Sequence, residues 1–401
     1  MYACFKHGLS LVVSASYHAR ESLMNVLLLS CNTGGGHNAA ARAIAQRLTE
    51  LGVSCTTRDA MKYGLPGESR FICFWHNLIY LEMPRLFGLG YHTLELYRQK
   101  TKPSVLYRYN KRKAKKLYRS IEKEGYDAVI CTHLFPAIAM TALRKTYHTT
   151  CKAYYVVTDY TCYPGMSDVQ MDGYFIPHAD IAWEFMAAGI PSHAIYATGL
   201  PIAQKFDTPH TKAEARAALN LSQESKVLLV MGGSTGCGPV AEFVSRMASH
   251  TLGWVEMVVI CGTNQKLKQR VEAMHLPRVR VVGYCDHVHL YMDAANLIVT
   301  KAGGISSTEA ARKGLPIVYM DAVPGCETKN LAFFCQKGYA VTAFQVPTLA
   351  RMVKQLLEDE DTLAKMSARQ KKDFTHNGAH EICAIVTAEH LTSEREDTLS
   401  E

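Results

Sequence analysis

Two glycine-rich segments of this 401-residue chain have the composition to grip a ligand. In NVLLLSCNTGGGHNAAARAIAQRL (25–48), an unbroken apolar run leads into three glycines and His37, then into a stretch of strong helix formers. An unbroken apolar run suits a strand buried on both faces. A strand, a glycine turn and a helix together expose helix N-terminal amides to an anionic or polar ligand. The spacing is not GxGxxG, and no Lys-Ser/Thr pair follows, so the loop does not name its ligand. A tight turn with no ligand is the plain alternative, and His37 is a poor choice for one.

The second segment is TKAGGISSTE (300–309). Gly303 and Gly304 permit close backbone approach. The amides of Gly304, Ile305 and Ser306 open a helix in a way suited to a diphosphate. Glu309 follows within the first turns. A carboxylate beside phosphates is unfavourable unless it accepts hydrogen bonds from neutral diol hydroxyls, such as those of a ribose. The commoner reading of such a residue is a carboxylate placed to suit the helix dipole. Metal-binding patterns are weak. The run EDED (358–361) reads as a solvated helix face, and His376 and His380 are separated by Gly378, which weakens the helix an i, i+4 ligand pair would need. Phosphate charge is therefore expected to be met by helix N-termini and Lys301, without a metal.

Such loops need rigid elements behind them. Strand-length apolar runs fall at 26–29, 128–131, 153–157, 173–176 and 194–197. After TGLPIAQKF they recur at 227–231, 255–261, 279–282, 297–299 and 317–319, with helical patterns between. This alternation predicts right-handed βαβ units and parallel sheets. The second series opens with its own glycine loop, GGSTGCGP (232–239). Two α/β halves, each with a ligand loop, predict two Rossmann-like domains facing across a cleft. The expected division is an N-terminal domain over 24–200, a C-terminal domain over 201–372, and a helix and frayed tail over 373–401 that can return to the N-terminal domain.

Thirteen cysteines form no C-x-x-C pair and no even framework, which fits a reducing cytoplasm. Residues 1–23 read as an extra, poorly ordered extension rather than an export signal. Residues 71–97 are crowded with aromatic and aliphatic side chains, and 97–120 carry many Lys and Arg and no acid. Interleaved tyrosines in a basic run can serve nucleic acid, but beside an apolar aromatic segment the pattern better fits an anionic bilayer surface. The competing reading is a solvated helix face beside an ordinary core segment.

With these segments in order, the chain resembles the diacylglycerol glycosyltransferases: bacterial processive diacylglycerol glucosyltransferases and plant-type monogalactosyldiacylglycerol synthases. It is more distantly similar to the peptidoglycan enzyme that adds N-acetylglucosamine to lipid I. The resemblance runs from about Met24 to Phe374. It is carried by NTGGGHNAAARAI, CTHLFPA (131–137), VVTDYTCYPG (156–165), DGYFIPH (172–178), GIPSHAIYATGLPI (189–202), MGGSTG (231–236) and TKAGGISSTEAARKGLP (300–316).

The resemblance implies an α/β fold of the GT-B type, an acceptor in the N-terminal domain and a UDP-sugar in the C-terminal one. It sets Cys285 at the uracil and Glu309 at the ribose. Ser234, Thr235 and the amides of Gly304, Ile305 and Ser306 would hold the diphosphate, with Gly303 and, in the first loop, Gly35 and Gly36 also facing the nucleotide sugar. Cys326, Glu327 and Asn330 would face the sugar. His37 would meet the acceptor hydroxyl. The implied partners are a UDP-hexose, diacylglycerol or a glycolipid acceptor, and an anionic membrane surface met through 71–119, with no nucleic acid. The implied location is cytoplasmic, peripheral on the inner face of the cell membrane. Two departures stand out. Many family members carry glutamine at Cys326, and many have histidine at Tyr163 followed by a tryptophan, which puts the hexose and the acceptor in question.

The family inverts at the anomeric carbon, so one displacement is implied. His37, ordinarily titrating near roughly pH 6.5, suits a general base. Asp159 supports it or serves as the base itself. Two rivals use the same architecture: another UDP-sugar reaction, such as lipid-linked N-acetylglucosamine transfer or 2-epimerisation, and a non-catalytic membrane-bound sensor of UDP-sugar.

Overall fold

Unbroken apolar strands end up in the middle of sheets, and here they form two. In the computed structural model, each of two parallel sheets has six strands. The structure describes residues 24–83, 86, 88–91, 93, 104–251 and 253–400, with backbone alone at 77, 80–82 and 393–400. The expected extension 1–23 and part of the aromatic and basic stretch 71–119 therefore lie outside the described residues.

The first sheet contains β1 (Asn25–Ser30), β2 (Ser54–Asp59), β3 (Ala128–Cys131), β4 (Lys152–Val156), β5 (Gly173–Ile176) and β6 (Ile195–Ala197), in the order β2-β1-β3-β4-β5-β6. The second contains β7 (Lys226–Met231), β8 (Val255–Ile260), β9 (Val279–Val282), β10 (Leu297–Lys301), β11 (Ile317–Asp321) and β12 (Ala340–Thr342), in the order β12-β11-β10-β7-β8-β9. The direction of winding reverses between β1 and β3 in one sheet and between β7 and β10 in the other. Ligands of open α/β sheets bind in the crevice at that reversal, beyond the carboxyl ends of the strands. The glycine loops after β1, β7 and β10 all stand there.

Two strands escape the sequence pattern. β2, with sequence SCTTRD, and β12, with sequence AVT, are edge strands and only partly buried. An edge strand needs one apolar face at most, so neither shows the unbroken run that marks β1 or β7.

Helix α1 (Gly35–Glu50) starts inside the glycine loop and buries Ala40, Ala41, Ala43, Ile44 and Leu48. Later in the chain, α11 (Gly304–Arg312) does the same with Ile305, Ala310 and Ala311. The small residues let both helices lie close on their sheets. The last helix, α15 (Gly378–Ser400), leaves the second domain and packs Ile382, Cys383 and Val386 onto the first sheet's core. Its Glu389 accepts hydrogen bonds from Tyr154 (2.7 Å) and Tyr196 (2.9 Å).

The chain thus crosses between domains twice, near 198–207 and 374–378, and Asn377 ties the crossings together. Its amide donates to the Ile202 carbonyl (2.9 Å) and Asp207 (2.7 Å), while its oxygen accepts from the amides of Ile202 (3.2 Å) and Ala379 (3.0 Å). Asn377 is buried, so truncation strands several polar groups at once. Asn377→Ala is expected to lower stability by about 2–4 kcal/mol, read as a lower unfolding midpoint with unchanged helix content.

Candidate active site

The two domains enclose a pocket of about 290 Å³ lined by both glycine systems. Residues 33–37 and 133–135 come from the first domain. Residues 233–235, 303–306, 323, 324, 326 and 327 come from the second, Lys301 with them. The loops approach to a distance that excludes a side chain. A Cβ on Gly35 would stand 2.3 Å from Ser234 Oγ, and one on Gly304 would stand 2.3 Å from the Thr158 carbonyl. Both glycines are helix N-terminal residues, so their amides and dipoles point into the same space.

His37 is held by one nitrogen. Its Nδ1 lies 2.8 Å from the Thr132 carbonyl, which can only accept, so Nδ1 carries the proton and Nε2 keeps its lone pair. Thr158 Oγ1, 3.0 Å from Nδ1, shares that proton as a second acceptor. Burial pushes the ring's pKa down to about 4, and the hydrogen bond to Thr132 only partly opposes this. The imidazole is neutral at pH 7.

Behind Thr158 runs a chain of hydroxyls. Tyr163 lies 3.1 Å from Thr158 Oγ1 and donates to Asp159 (2.5 Å). The other oxygen of Asp159 accepts from Asn330 across the domain boundary (2.6 Å). Asp159 therefore reaches His37 only through Tyr163 and Thr158, and both its oxygens are engaged. Burial raises its pKa, the two donors lowering it in part.

On the other wall, Lys301 donates to Glu327 (2.5 Å), whose second oxygen accepts the Val323 amide (3.0 Å). A Cβ at Gly233 would meet the Lys301 side chain at 2.7 Å, so the ammonium stem crosses the floor of the 232–236 loop. Cys326 Sγ sits 3.8 Å from the Tyr91 hydroxyl. Burial pushes this thiol well up, and it stays protonated.

The structure brings Gly35, Gly36, His37, Asp159, Ser234, Thr235, Gly303, Gly304, Ile305, Ser306, Cys326 and Glu327 together on one pocket. Cys285, Glu309 and Asn330 do not line it. Asn330 is fully buried. Its oxygen accepts the Tyr160 amide (2.7 Å) and its nitrogen serves Asp159 and the Ala302 carbonyl (3.0 Å). That side chain is a strut between domains, with no group left over for a sugar hydroxyl in this closed arrangement. Glu309 lies further along α11, where α11 meets α1. Burial pushes its pKa up to about 8, with Lys205 and Arg42 pulling the other way. Lys205 also donates to the Asp286 carbonyl, next to Cys285, so one lysine acts on Glu309 and reaches the backbone beside Cys285. Thr158 and His133 line the pocket and are not among the sequence-based candidates, and Tyr163, marked in the sequence only as a departure from the family, lines it too. Their signal was positional, since each follows a buried strand of the first sheet.

The helix that lends His76 to the pocket also carries an apolar surface. Helix α2 (Glu68–Glu82) turns Phe71 (66 % exposed), Phe74 (63 %) and Trp75 (45 %) to solvent, while His76 lines the pocket. Leu65, Leu86, Leu89 and Val105 are exposed nearby in sequence. Helices α3 (Val105–Lys111) and α4 (Ala114–Glu124) follow. They expose Arg108, Lys111, Arg112, Lys115, Lys116 and Arg119, while Leu117 and Ile121 enter the core. Lys113 is the exception, buried and paired with Glu68 at 3.0 Å. Among the described residues, no helix is long and apolar enough to cross a membrane.

Comparison with known proteins agrees with this geometry. The monogalactosyldiacylglycerol (MGDG) synthase family model matches residues 37–202, and the glycosyltransferase family 28 C-terminal domain matches residues 227–382. A processive diacylglycerol beta-glucosyltransferase of Bacillus cereus is 27 % identical over 379 residues, covering 92 % of this chain and 95 % of its own. Among solved structures, Acinetobacter baumannii MurG superposes with a TM-score of 0.61 at 15 % identity, covering 91 % of this chain and 99 % of its own. The UDP-GlcNAc 2-epimerase of Neisseria meningitidis, bound to UDP-GlcNAc, gives 0.58 at 14 % identity, covering 92 % and 100 %. The structural neighbours establish the GT-B fold. The chain thus carries a monogalactosyldiacylglycerol synthase domain followed by a glycosyltransferase family 28 C-terminal domain, and over nearly its whole length it is similar to processive diacylglycerol beta-glucosyltransferases.

Proposed function

We propose that this protein transfers a hexose from a UDP-sugar to the hydroxyl of diacylglycerol or a glycosyl-diacylglycerol, inverting the anomeric carbon. The observation that carries the reading is the facing of two amide-lined helix N-termini across one pocket, with a bare imidazole nitrogen between them.

In this mechanism the acceptor hydroxyl lies against His37 Nε2. Its oxygen forms a bond to the anomeric carbon as the bond from that carbon to the UDP oxygen breaks, and the bonding pair leaves with UDP. His37 takes the hydroxyl proton. The amides of Gly304, Ile305 and Ser306, with the hydroxyls of Ser234 and Thr235, receive the growing charge on the diphosphate from fixed positions. Lys301 lies close enough to the 232–236 loop to add a positive charge, and no metal is required. Asp159, through Tyr163 and Thr158, positions His37 rather than taking the proton. Glu309 accepts the ribose hydroxyls beside Cys285. The aromatic face of α2 and the basic faces of α3 and α4 seat the protein on an anionic bilayer, where each Lys or Arg near the surface contributes about 1 kcal/mol.

The direct test is incubation with diacylglycerol liposomes and separate UDP-hexoses, followed by mass spectrometry of the lipids. New hexosyl-diacylglycerol is the expected product. Turnover of UDP-sugar without liposomes would favour epimerisation, and binding without turnover a sensor. His37→Ala is expected to abolish transfer while UDP affinity changes less than about threefold, measured by calorimetry.

Two pH effects follow from burial. His37 in the free enzyme titrates near pH 4, so the acid limb of kcat/KM is expected near pH 4 rather than 6.5. A bound diphosphate stabilises the imidazolium, so the limb of kcat itself should lie higher. For Glu309 the folded pKa of about 8 exceeds the usual value of 4.5. The stability this group contributes is complete below about pH 4.5 and is lost as pH rises through 8. Glu309→Gln is therefore expected to be more stable than the parent at pH 8, to lose that advantage near pH 4.5, and to bind UDP at least about tenfold more weakly.

A further inference from the structure

The CTHLFPA segment (131–137) contributes a histidine that the mechanism above does not use. His133 stands just beyond β3 and caps α5 (Leu134–Thr146), its Nδ1 accepting the Phe135 amide at 3.1 Å. A backbone N–H only donates, so Nδ1 has no proton, and the neutral ring carries its hydrogen on Nε2. His133 lines the pocket beside His37, with ring centroids 4.5 Å apart and planes at 71°. The two rings are thus fixed as opposite tautomers. His37 gives the pocket a lone pair, and His133 gives it an N–H.

Capping alone does not call for imidazole at this position. Serine, threonine, aspartate or asparagine caps a helix at least as well. What histidine adds is a second nitrogen that reaches past the cap into the pocket. It is no second base, because that nitrogen already holds its proton. Burial, together with the neighbouring His37, His76 and Lys113, holds the His133 pKa well below the ordinary range, so the ring stays neutral.

An acceptor and a donor side by side match an O–C–C–O unit, whose gauche oxygens lie a hydrogen-bond length apart. We infer that His133 binds, through its Nε2–H, the acceptor oxygen vicinal to the hydroxyl that His37 deprotonates. In diacylglycerol this is the ester oxygen on C2. In a glycosyl-diacylglycerol it is the ring or hydroxyl oxygen next to the attacked position. The inference rests on the transfer reaction proposed above and deepens it. It makes the two histidines a two-point reader of vicinally oxygenated alcohols.

His133→Asn separates the two functions of the ring, because asparagine still caps the helix but ends short of the pocket. The measurement is kcat/KM in mixed micelles with 1,2-dioleoylglycerol and with the oleoyl monoester of propane-1,3-diol, which lacks the C2 oxygen. The parent is expected to prefer dioleoylglycerol by about 10- to 100-fold. In the variant that preference collapses because the dioleoylglycerol value falls, while the monoester value and UDP affinity hold. His133→Gln, which carries an N–H at the reach of Nε2, is expected to recover part of the preference. Equal use of both acceptors by the parent, an undiminished preference in His133→Asn, or an equal fall on both acceptors would overturn the inference. Absence of transfer to either lipid by the parent would overturn the proposed reaction, and the inference with it.

Discussion

The closeness of two helix starts governs this molecule. A Cβ on Gly304 would stand 2.3 Å from the Thr158 carbonyl, a backbone atom that cannot turn aside, and one on Gly35 would press on the Ser234 side chain, so the glycines let the cleft close this far. Closure of this degree puts the N-terminal amides of α1 and α11 on one small volume. Two positive helix ends repel each other. The contacts that hold them together must therefore come from elsewhere.

They come from the residues around the pocket's rear. Asn330 bridges Asp159, the Tyr160 amide and the Ala302 carbonyl. Tyr160 stacks on Phe333 at 4.7 Å and its hydroxyl meets Thr308 at 2.8 Å. Lys337 pairs with Asp180 on the more exposed margin. The crossings at Asn377 form a separate joint. This layout separates two functions. The Asn377 joint keeps the domains attached, whereas the strut through Asn330 sets how far they close. Because the strut includes Asp159, which leads through Tyr163 and Thr158 to His37, the position of the imidazole is tied to the closed arrangement. An opened cleft loses the partner that orients Asp159.

Much of this was legible in the amino-acid sequence because burial on both faces leaves an unbroken apolar signature. β1, β7 and β10 carry it, and each ends in a glycine loop. β2 does not, since SCTTRD pairs along one edge only and mixes serine, threonine and charge. The site divides in the same way. Glycines, His37 and Glu309 announce themselves by being unusual where they stand. The partners of His37 do not, because Thr158 and the Thr132 carbonyl are ordinary groups made important by two adjacent strand ends. Asn330 shows the reverse problem. Its type suits a sugar contact, and only the three-dimensional placement of Tyr160 and Asp159 reveals that its amide is spent between domains.

The electrostatics of the cleft follow from the same closeness. Exclusion of water lowers the pKa of His37 to about 4 and raises that of Glu309 to about 8, in each case toward the uncharged form at pH 7. Lys301 and Glu327 pair with each other. A cleft so arranged offers a diphosphate fixed dipoles and one lysine, with few mobile charges to rearrange. A bound diphosphate would compete with Glu327 for the Lys301 ammonium, because both are anionic partners within its reach. Closure by glycine, neutrality by burial and charge supplied by the substrate are thus linked consequences of bringing two helix ends within a side chain's width.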